Sequence, residues 1–332
     1  AGGESLVRGS VGIARKLGMS ELIIGLALVG FGTSMPELVT SLEAVSSDAV
    51  GMSVGNVAGS NIANILLVLG VTALLCPIFT NPKALTRDFL FLSAVTVLFC
   101  VLVYYDQFSR PIGIGLTTLL IVYIGGSLIL DRNQSQPGIM HAEEGELIET
   151  HEPFAMSALY AFGGLVGVIA GAKLLVTGGI DVAASFGVSE TLIGLTVVAF
   201  GTSLPELITA SISALRGKSD VALGTILGSN IFNILGIIGI TALVHPFSLI
   251  EAGARGTTPD YSSGDALIDG QSVLSTGATL TWTDISMLGL SLFFIFIFAI
   301  SGKRIARWEG GLMLAVYLIY MGFLLDIDLW VL

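Results

Sequence analysis

Gly32-Thr33-Ser34-Met35-Pro36-Glu37 recurs as Gly201-Thr202-Ser203-Leu204-Pro205-Glu206, and each copy lies inside a long apolar stretch, 22–45 and 191–215. A second phrase follows each: Gly59-Ser60-Asn61-Ile62-Ala63-Asn64, and Gly228-Ser229-Asn230-Ile231-Phe232-Asn233. Corresponding residues share one offset, since 201 − 32, 206 − 37 and 233 − 64 all equal 169. The chain is therefore built from two related halves. An ionisable residue at mid-membrane depth is costly, and a carboxylate duplicated there points to a cation pathway at a repeat interface.

Working outward, the chain of 332 residues is 53% hydrophobic and only 12% charged, about half the usual share of charge. Apolar runs of bilayer length recur from end to end, and most of the 42 glycines lie inside them, as in closely packed transmembrane helices. The fold class expected is an all-α polytopic membrane protein made of two inverted five-helix repeats. The first half reads as helices to about 17 and over 20–45, 50–75, 88–105 and 111–130. The second repeats them over 154–176, 190–215, 221–244, 284–301 and 308–331. Five spans per half is odd, so the second half enters the membrane from the opposite side. Residues 1–17 match 170–186, but the apolar stretch 154–169 has no counterpart in the first half. The repeat thus predicts ten spans, of which the first is truncated at its N-terminus by about 16 residues.

Charge sets the orientation. With the complete chain starting outside, Arg15, Lys16, Lys83, Arg87, Arg132, Arg216, Lys218, Lys303, Arg304 and Arg307 fall on one side, and only Arg110 and Arg255 on the other. The positive-inside rule makes the first side cytoplasmic and both termini external, in the inner (cell) membrane. Residues 1–131 form the first half, 132–153 an acidic cytoplasmic linker and 154–332 the second half. The second half carries an external 248–283 insertion whose function the residues do not indicate. The linker, with Glu143, Glu144, Glu146, Glu149, Glu152, His141 and His151, reads first as solvated chain and second as a regulatory cation site. The net charge of −11 leaves no basic surface for nucleic acid, and Cys76 and Cys100 read as small buried hydrophobes.

The chemistry follows from the motif. Proline lacks an amide hydrogen and crowds the carbonyl four residues back, so Pro36 and Pro205 free the carbonyls of Gly32 and Gly201. Gly30, Thr33 and Glu37 share one helix face, as do Ala199, Thr202 and Glu206. Ser60 with Asn64 and Ser229 with Asn233 stand one turn apart. Ser34 and Ser203 add hydroxyls from within the motif. These groups offer only oxygen, which suits Ca²⁺ and Na⁺ rather than Zn²⁺, Cu or Fe. No Lys or Arg lies in the four central helices to pair Glu37 or Glu206. Asn61 and Asn230, one position off that face, read equally as ligands or as helix–helix contacts. Glu4 and Lys173 occupy corresponding positions (173 − 4 = 169) and read as interfacial residues or as partners of each other; Glu43 and Asp48 read as solvated.

At these residues the chain resembles the cation/Ca²⁺ exchanger superfamily, in its prokaryotic-type Na⁺/Ca²⁺ exchanger branch. Its two inverted repeats carry Gly-Thr-Ser-(Leu/Met)-Pro-Glu followed by Gly-Ser-Asn-x-x-(Asn/Asp). The resemblance implies an antiporter, not an enzyme, that needs no cofactor and binds only its transported Ca²⁺ and Na⁺ and the lipid bilayer. Glu37 and Glu206 would ligate both ions in alternation, and the carbonyls of Thr33 and Thr202 would complete the Ca²⁺ site. Ser60, Ser229 and the carbonyls of Gly30 and Ala199 would serve Na⁺, with Asn64 and Asn233 in the middle. The family more often has Ala at the position of Gly30. K⁺-dependent relatives carry Asp at position 233, so Asn233 implies K⁺ independence. A three-to-one exchange and a gate formed by the first and sixth helices are further implications. Three other readings stay open: a Ca²⁺/H⁺ antiporter of this fold, a cation channel, and an intramembrane enzyme. The last is the weakest, because His141, His151 and His245 all fall in or beside loops.

Overall fold

Ten helical stretches lie along the chain in a computed structural model, which describes residues 2–17, 19–46, 50–80, 82–134, 153–185, 199–249, 282–301 and 304–324. In the first half they are α1 (Gly2–Leu17), α2 (residues 21–46), α3 (residues 50–75), α4 (Pro82–Tyr104) and α5 (Arg110–Gln134). The second half supplies α6 (Phe154–Ser185), α7 (residues 199–215), α8 (residues 219–244), α9 (residues 282–301) and α10 (Arg307–Leu324). Among the described residues, five helices are long and apolar enough to cross a bilayer, or six if the bent α2 is one span; Leu204–Leu215 and Thr283–Ala299 are shorter apolar helices. The chain is an all-α polytopic membrane protein.

Three boundaries differ from the periodicity, one of them at α5, which runs on to Gln134 and takes residues 132–134 of the expected linker into the helix. α4 begins at Pro82 rather than near 88, because proline is favoured in the first turn, where no amide donor is needed. The same turns take in Lys83 and Arg87. α6 continues to Ser185 instead of stopping near 176. Residues 135–152 of the acidic linker, 250–281 of the insertion, Asp48, His141, His151 and the stretch 186–198 lie outside the described residues. Glu43 is exposed, as expected, while Cys76 and Cys100 are free thiols that are only half-buried.

Burial sorts the helices into layers. The apolar windows of α3 and α8 are 83% and 89% buried by protein, against 28% and 22% for α5 and α6. α3 and α8 therefore form the centre, and α5 and α6 present most of their surface outward, where lipid would lie. The cores of α3 and α8 widen into matching π-helical segments, Asn64–Leu69 and Phe232–Ile238. Such segments offset the side chains that follow and are frequent at functional sites.

The two halves interlock reciprocally. β1 (Ile78–Phe79) pairs antiparallel with β2 (Arg304–Ile305), with Ile78 opposite Ile305. Phe108 bridges Phe247 in the same way. The second contact is the first with the halves exchanged: 247 − 78 is 169, and 305 − 108 is 197 once the insertion is passed. Glycines repeat the pattern. A β-carbon on Gly310 would stand 2.5 Å from the Gly70 carbonyl oxygen, and one on Gly113 would stand 2.7 Å from that of Gly239. Here 239 − 70 is 169 and 310 − 113 is 197. Each pairing joins two loops that the charge argument places together, β1 and β2 on the cytoplasmic side and Phe108 and Phe247 on the opposite one.

The contact that positions the site is the crossing of α2 over α8. β-Carbons added at Gly224 and Gly228 would lie 2.3 Å from the carbonyl oxygens of Leu22 and Leu26, so the backbones touch where only glycine fits. On the other flank α1 lies along α6, with Gly9 against the Ala161 backbone and Gly164 against that of Leu6. Glu4 pairs with Arg216 at the end of α7, so of its two readings the one that paired it with Lys173 does not hold. Substituting Gly228→Ala should force α2 and α8 apart and cost about 1–3 kcal/mol. Gly55→Ala, where nothing lies within 4 Å, should be neutral or slightly stabilising. Thermal unfolding of the purified protein in detergent reads both.

Candidate cation-binding site

Each copy of the repeated motif interrupts a helix. In α2 the helical hydrogen-bonding breaks at Ser34 (φ −88°, ψ 10°), and in α7 at Ser203 (φ −87°, ψ 2°). The helices restart at Met35 and Leu204, with Pro36 and Pro205 second in line, as proline requires. The axis of α2 bends by 43° there. The two breaks are related by the repeat offset, 203 − 34 being 169.

Glu37 and Glu206 follow the breaks by three residues and are 1% and 0% exposed. No ion pair to either is seen among the described residues, and Glu37 Oε2 and Glu206 Oε2 have no hydrogen-bond donor there. Hydroxyls from both halves converge on Glu206. Ser34 Oγ donates to its Oε1 at 2.8 Å and Ser229 Oγ approaches the same oxygen at 3.3 Å. Ser229 Oγ also lies 3.0 Å from the carbonyl oxygen of Gly30. That proximity depends on the glycine, because a β-carbon at Gly30 would stand 2.8 Å from Thr225 O and 2.9 Å from Ser229 N.

The remaining candidates surround this centre. Thr33 Oγ1 donates back to Val29 O (3.0 Å) and Gly30 O (3.2 Å), so its hydroxyl is satisfied locally. Ser60, Asn64 and Asn233 are buried on α3 and α8. Asn64 Oδ1 and Asn233 Oδ1 are buried with no donor among the described residues, as is Ser203 Oγ. Thr202 is half-buried in the short helix Ala199–Thr202, which Ala199 opens. The site is thus unequal: Ser34 reaches Glu206, whereas its counterpart Ser203 makes no bond of that kind.

One residue escaped the motif reading. Asn56 Nδ2 donates to the Glu37 carbonyl at 3.2 Å and to Ser41 Oγ at 2.9 Å, tying the segment after the break to α3. Its signal was present, since 56, 60 and 64 are spaced by four on one helix face.

A family model described as sodium/calcium exchanger protein matches residues 1–129 and 156–325, nearly the whole chain. This protein belongs to the sodium/calcium exchanger family. Exchangers of this family are secondary transporters and not enzymes. The chain is 32% identical to the sodium/calcium exchanger MaX1 of Methanosarcina acetivorans, over 96% of this chain and 93% of that protein. It is 37% identical to the putative antiporter CaxA of Alkalimonas amylolytica, over 76% of this chain and 79% of the other. Its fold matches the solved structure of the sodium-calcium exchanger NCX_Mj soaked with zero Na⁺ and Ca²⁺, with a TM-score of 0.76 at 30% identity. That match covers 97% of this chain and 93% of the other.

The unequal hydroxyls of this exchanger carry a test. Ser34→Ala deprives a buried carboxylate of its 2.8 Å donor and should lower stability in ion-free buffer by about 1–3 kcal/mol. Ser203→Ala removes no such bond and should cost clearly less in the same thermal unfolding measurement.

Proposed function

We propose that this antiporter exchanges Na⁺ for Ca²⁺ by alternating access, independently of K⁺, with Glu37 and Glu206 shared between the competing ions. The observation that carries the reading is the pair of fully buried carboxylates at repeat-related helix breaks, without a basic partner among the described residues. Two negative charges in a low-dielectric cavity call for about two compensating positive charges, one Ca²⁺ or a small number of Na⁺. They cannot hold Ca²⁺ and a full Na⁺ load together, so the ions displace one another. Carboxylate, hydroxyl, amide and carbonyl oxygens are the donor set such hard cations prefer. Thr33, Thr202, Ser34, Ser203, Ser60, Ser229, Asn64, Asn233, Gly30 and Ala199 supply the remaining oxygens in this reading.

The named exchange in MaX1 supports Na⁺ as the coupling ion, as do the NCX_Mj structures described as soaked with Na⁺ and Ca²⁺. Asn233 supports K⁺ independence. Two relatives named sodium/potassium/calcium exchanger 1, of Gallus gallus and Homo sapiens, match 22% and 36% of this chain. The distribution of Lys and Arg supports an inner-membrane protein with both termini external. By resemblance, Na⁺ flowing inward drives Ca²⁺ outward, at three Na⁺ per Ca²⁺. A Ca²⁺/H⁺ antiporter remains the second reading, since buried carboxylates also carry protons and CaxA is named only as an antiporter.

Proteoliposomes loaded with Na⁺ and diluted into choline should take up ⁴⁵Ca²⁺ in the presence of a proton ionophore, with or without K⁺. Uptake that ignores Na⁺ and follows an imposed pH gradient would install the second reading. Glu37→Gln should lower uptake roughly 100-fold or more, as when one member of a buried charge set is lost, while the protein stays monodisperse.

A further inference from the structure

Asn61 and Asn230 lie one position off the face that carries Ser60, Asn64, Ser229 and Asn233, and helical spacing alone assigns them no task. Their hydrogen bonds do. Asn61 Nδ2 donates to the backbone carbonyl of Asn230 at 3.3 Å. A backbone carbonyl only accepts, so this bond decides which end of the Asn61 amide points which way. The remaining end, Oδ1, accepts from Asn233 Nδ2 at 3.1 Å. The Asn233 amide is thereby oriented in turn, with its Oδ1 turned away from Asn61 and meeting no donor among the described residues.

The same relation holds with the halves exchanged. Asn230 Oδ1 accepts from Asn64 Nδ2 at 3.0 Å, leaving Asn64 Oδ1 without a donor there. The two bonds map onto one another by the repeat offset, 230 − 61 and 233 − 64 both being 169. All four side chains are at most 2% exposed, so water does not compete for these amides. An amide is nearly symmetric in shape but not in charge. One end attracts a cation and the other repels it, and an unanchored Asn offers either.

We propose that Asn61 and Asn230 are positioning residues for the cation site: each grips the NH₂ of an asparagine from the other half and so turns that partner's oxygen, rather than its nitrogen, toward the ions. The proposal rests on the reading of Asn64 and Asn233 as cation ligands. It makes the site a joint product of both halves, because neither half holds its own ligand amide in the binding orientation. Asn61 is the stronger anchor, since its own orientation is held by a backbone carbonyl, whereas Asn230 Nδ2 has no acceptor among the described residues.

The test is a double-variant cycle read as the half-saturating Ca²⁺ concentration and the maximal rate of uptake in proteoliposomes. Asn61→Ala should raise the half-saturating concentration roughly tenfold, the scale of one misdirected buried hydrogen-bonding group. Because Asn61 acts through Asn233, Asn61→Ala/Asn233→Ala should be no worse than Asn233→Ala alone. Thr72→Val, which removes a 3.2 Å contact with Ser211 between α3 and α7, should leave that concentration unchanged and controls for lost helix packing. If Asn61→Ala does not give monodisperse protein, the cycle is run on Asn230→Ala with Asn64→Ala. An unchanged concentration in Asn61→Ala, or effects that multiply in the double variant, overturns the proposal. Should Asn233→Ala leave the concentration unchanged while Glu37→Gln abolishes uptake, the glutamate site stands and this proposal alone falls. Retained uptake in Glu37→Gln removes both.

Discussion

Two carboxylates buried in an apolar bundle, without basic partners among the described residues, are the constraint that the rest of this protein answers to. Glu37 and Glu206 are at most 1% exposed. An ionised carboxylate taken out of water is unfavourable unless charge or hydrogen bonds compensate it. Here hydroxyls compensate partly: Ser34 and Ser229 both lie on Glu206 Oε1. Among the described residues Oε2 of each glutamate is left without a donor. In the proposed function, a site arranged in this way favours whichever cation completes it, and that is the basis of exchange.

Bringing those groups together needs backbones closer than side chains normally permit. Gly224 and Gly228 let α8 touch the carbonyls of α2, and that contact brings Ser229 to the Gly30 carbonyl. The outer helices obey the same rule in reciprocal form, Gly70 against Gly310 and Gly113 against Gly239. Each half thus braces the other's central helix. α1 and α6 lie along one another, and α1 also packs Leu6 and Ile13 with Ile24 and Val29 of α2, and Val7 and Val11 with Val221 of α8, beside the exposed Glu4–Arg216 ion pair to the end of α7. A surface pair of this kind contributes little stability, about 1 kcal/mol or less, so α1 is held mainly by its apolar packing.

Much of this was legible in the residues themselves. The 169-residue offset exposed the duplication. Pro36 and Pro205 announced the helix breaks, and the absence of Lys and Arg from the central helices singled out the glutamates as candidates. Other features were not legible. Glu4 pairs with Arg216, 212 positions away, and not with its repeat counterpart Lys173, because α1 packs against α7, with Gly3 beside Ile208 and Ile212, and pattern alone cannot report that packing. Asn56 was missed although it shares a face with Ser60 and Asn64, because its acceptors, the Glu37 carbonyl and Ser41 Oγ, belong to another helix.

By itself the sequence determined the membrane class, the two related halves, the oxygen-only character of the candidate residues and the positions of the helix breaks. Hydropathy, proline and helical spacing act over a few turns and are written locally. Only the tertiary structure decided that Ser34 serves Glu206 while Ser203 has no such bond, that glycine contacts bring α2 onto α8, and that Asn61 holds Asn233. Each of these is a contact between halves more than 150 residues apart, governed by how closely two backbones approach and by which end of a polar group faces which neighbour. Periodicity carries no information about either.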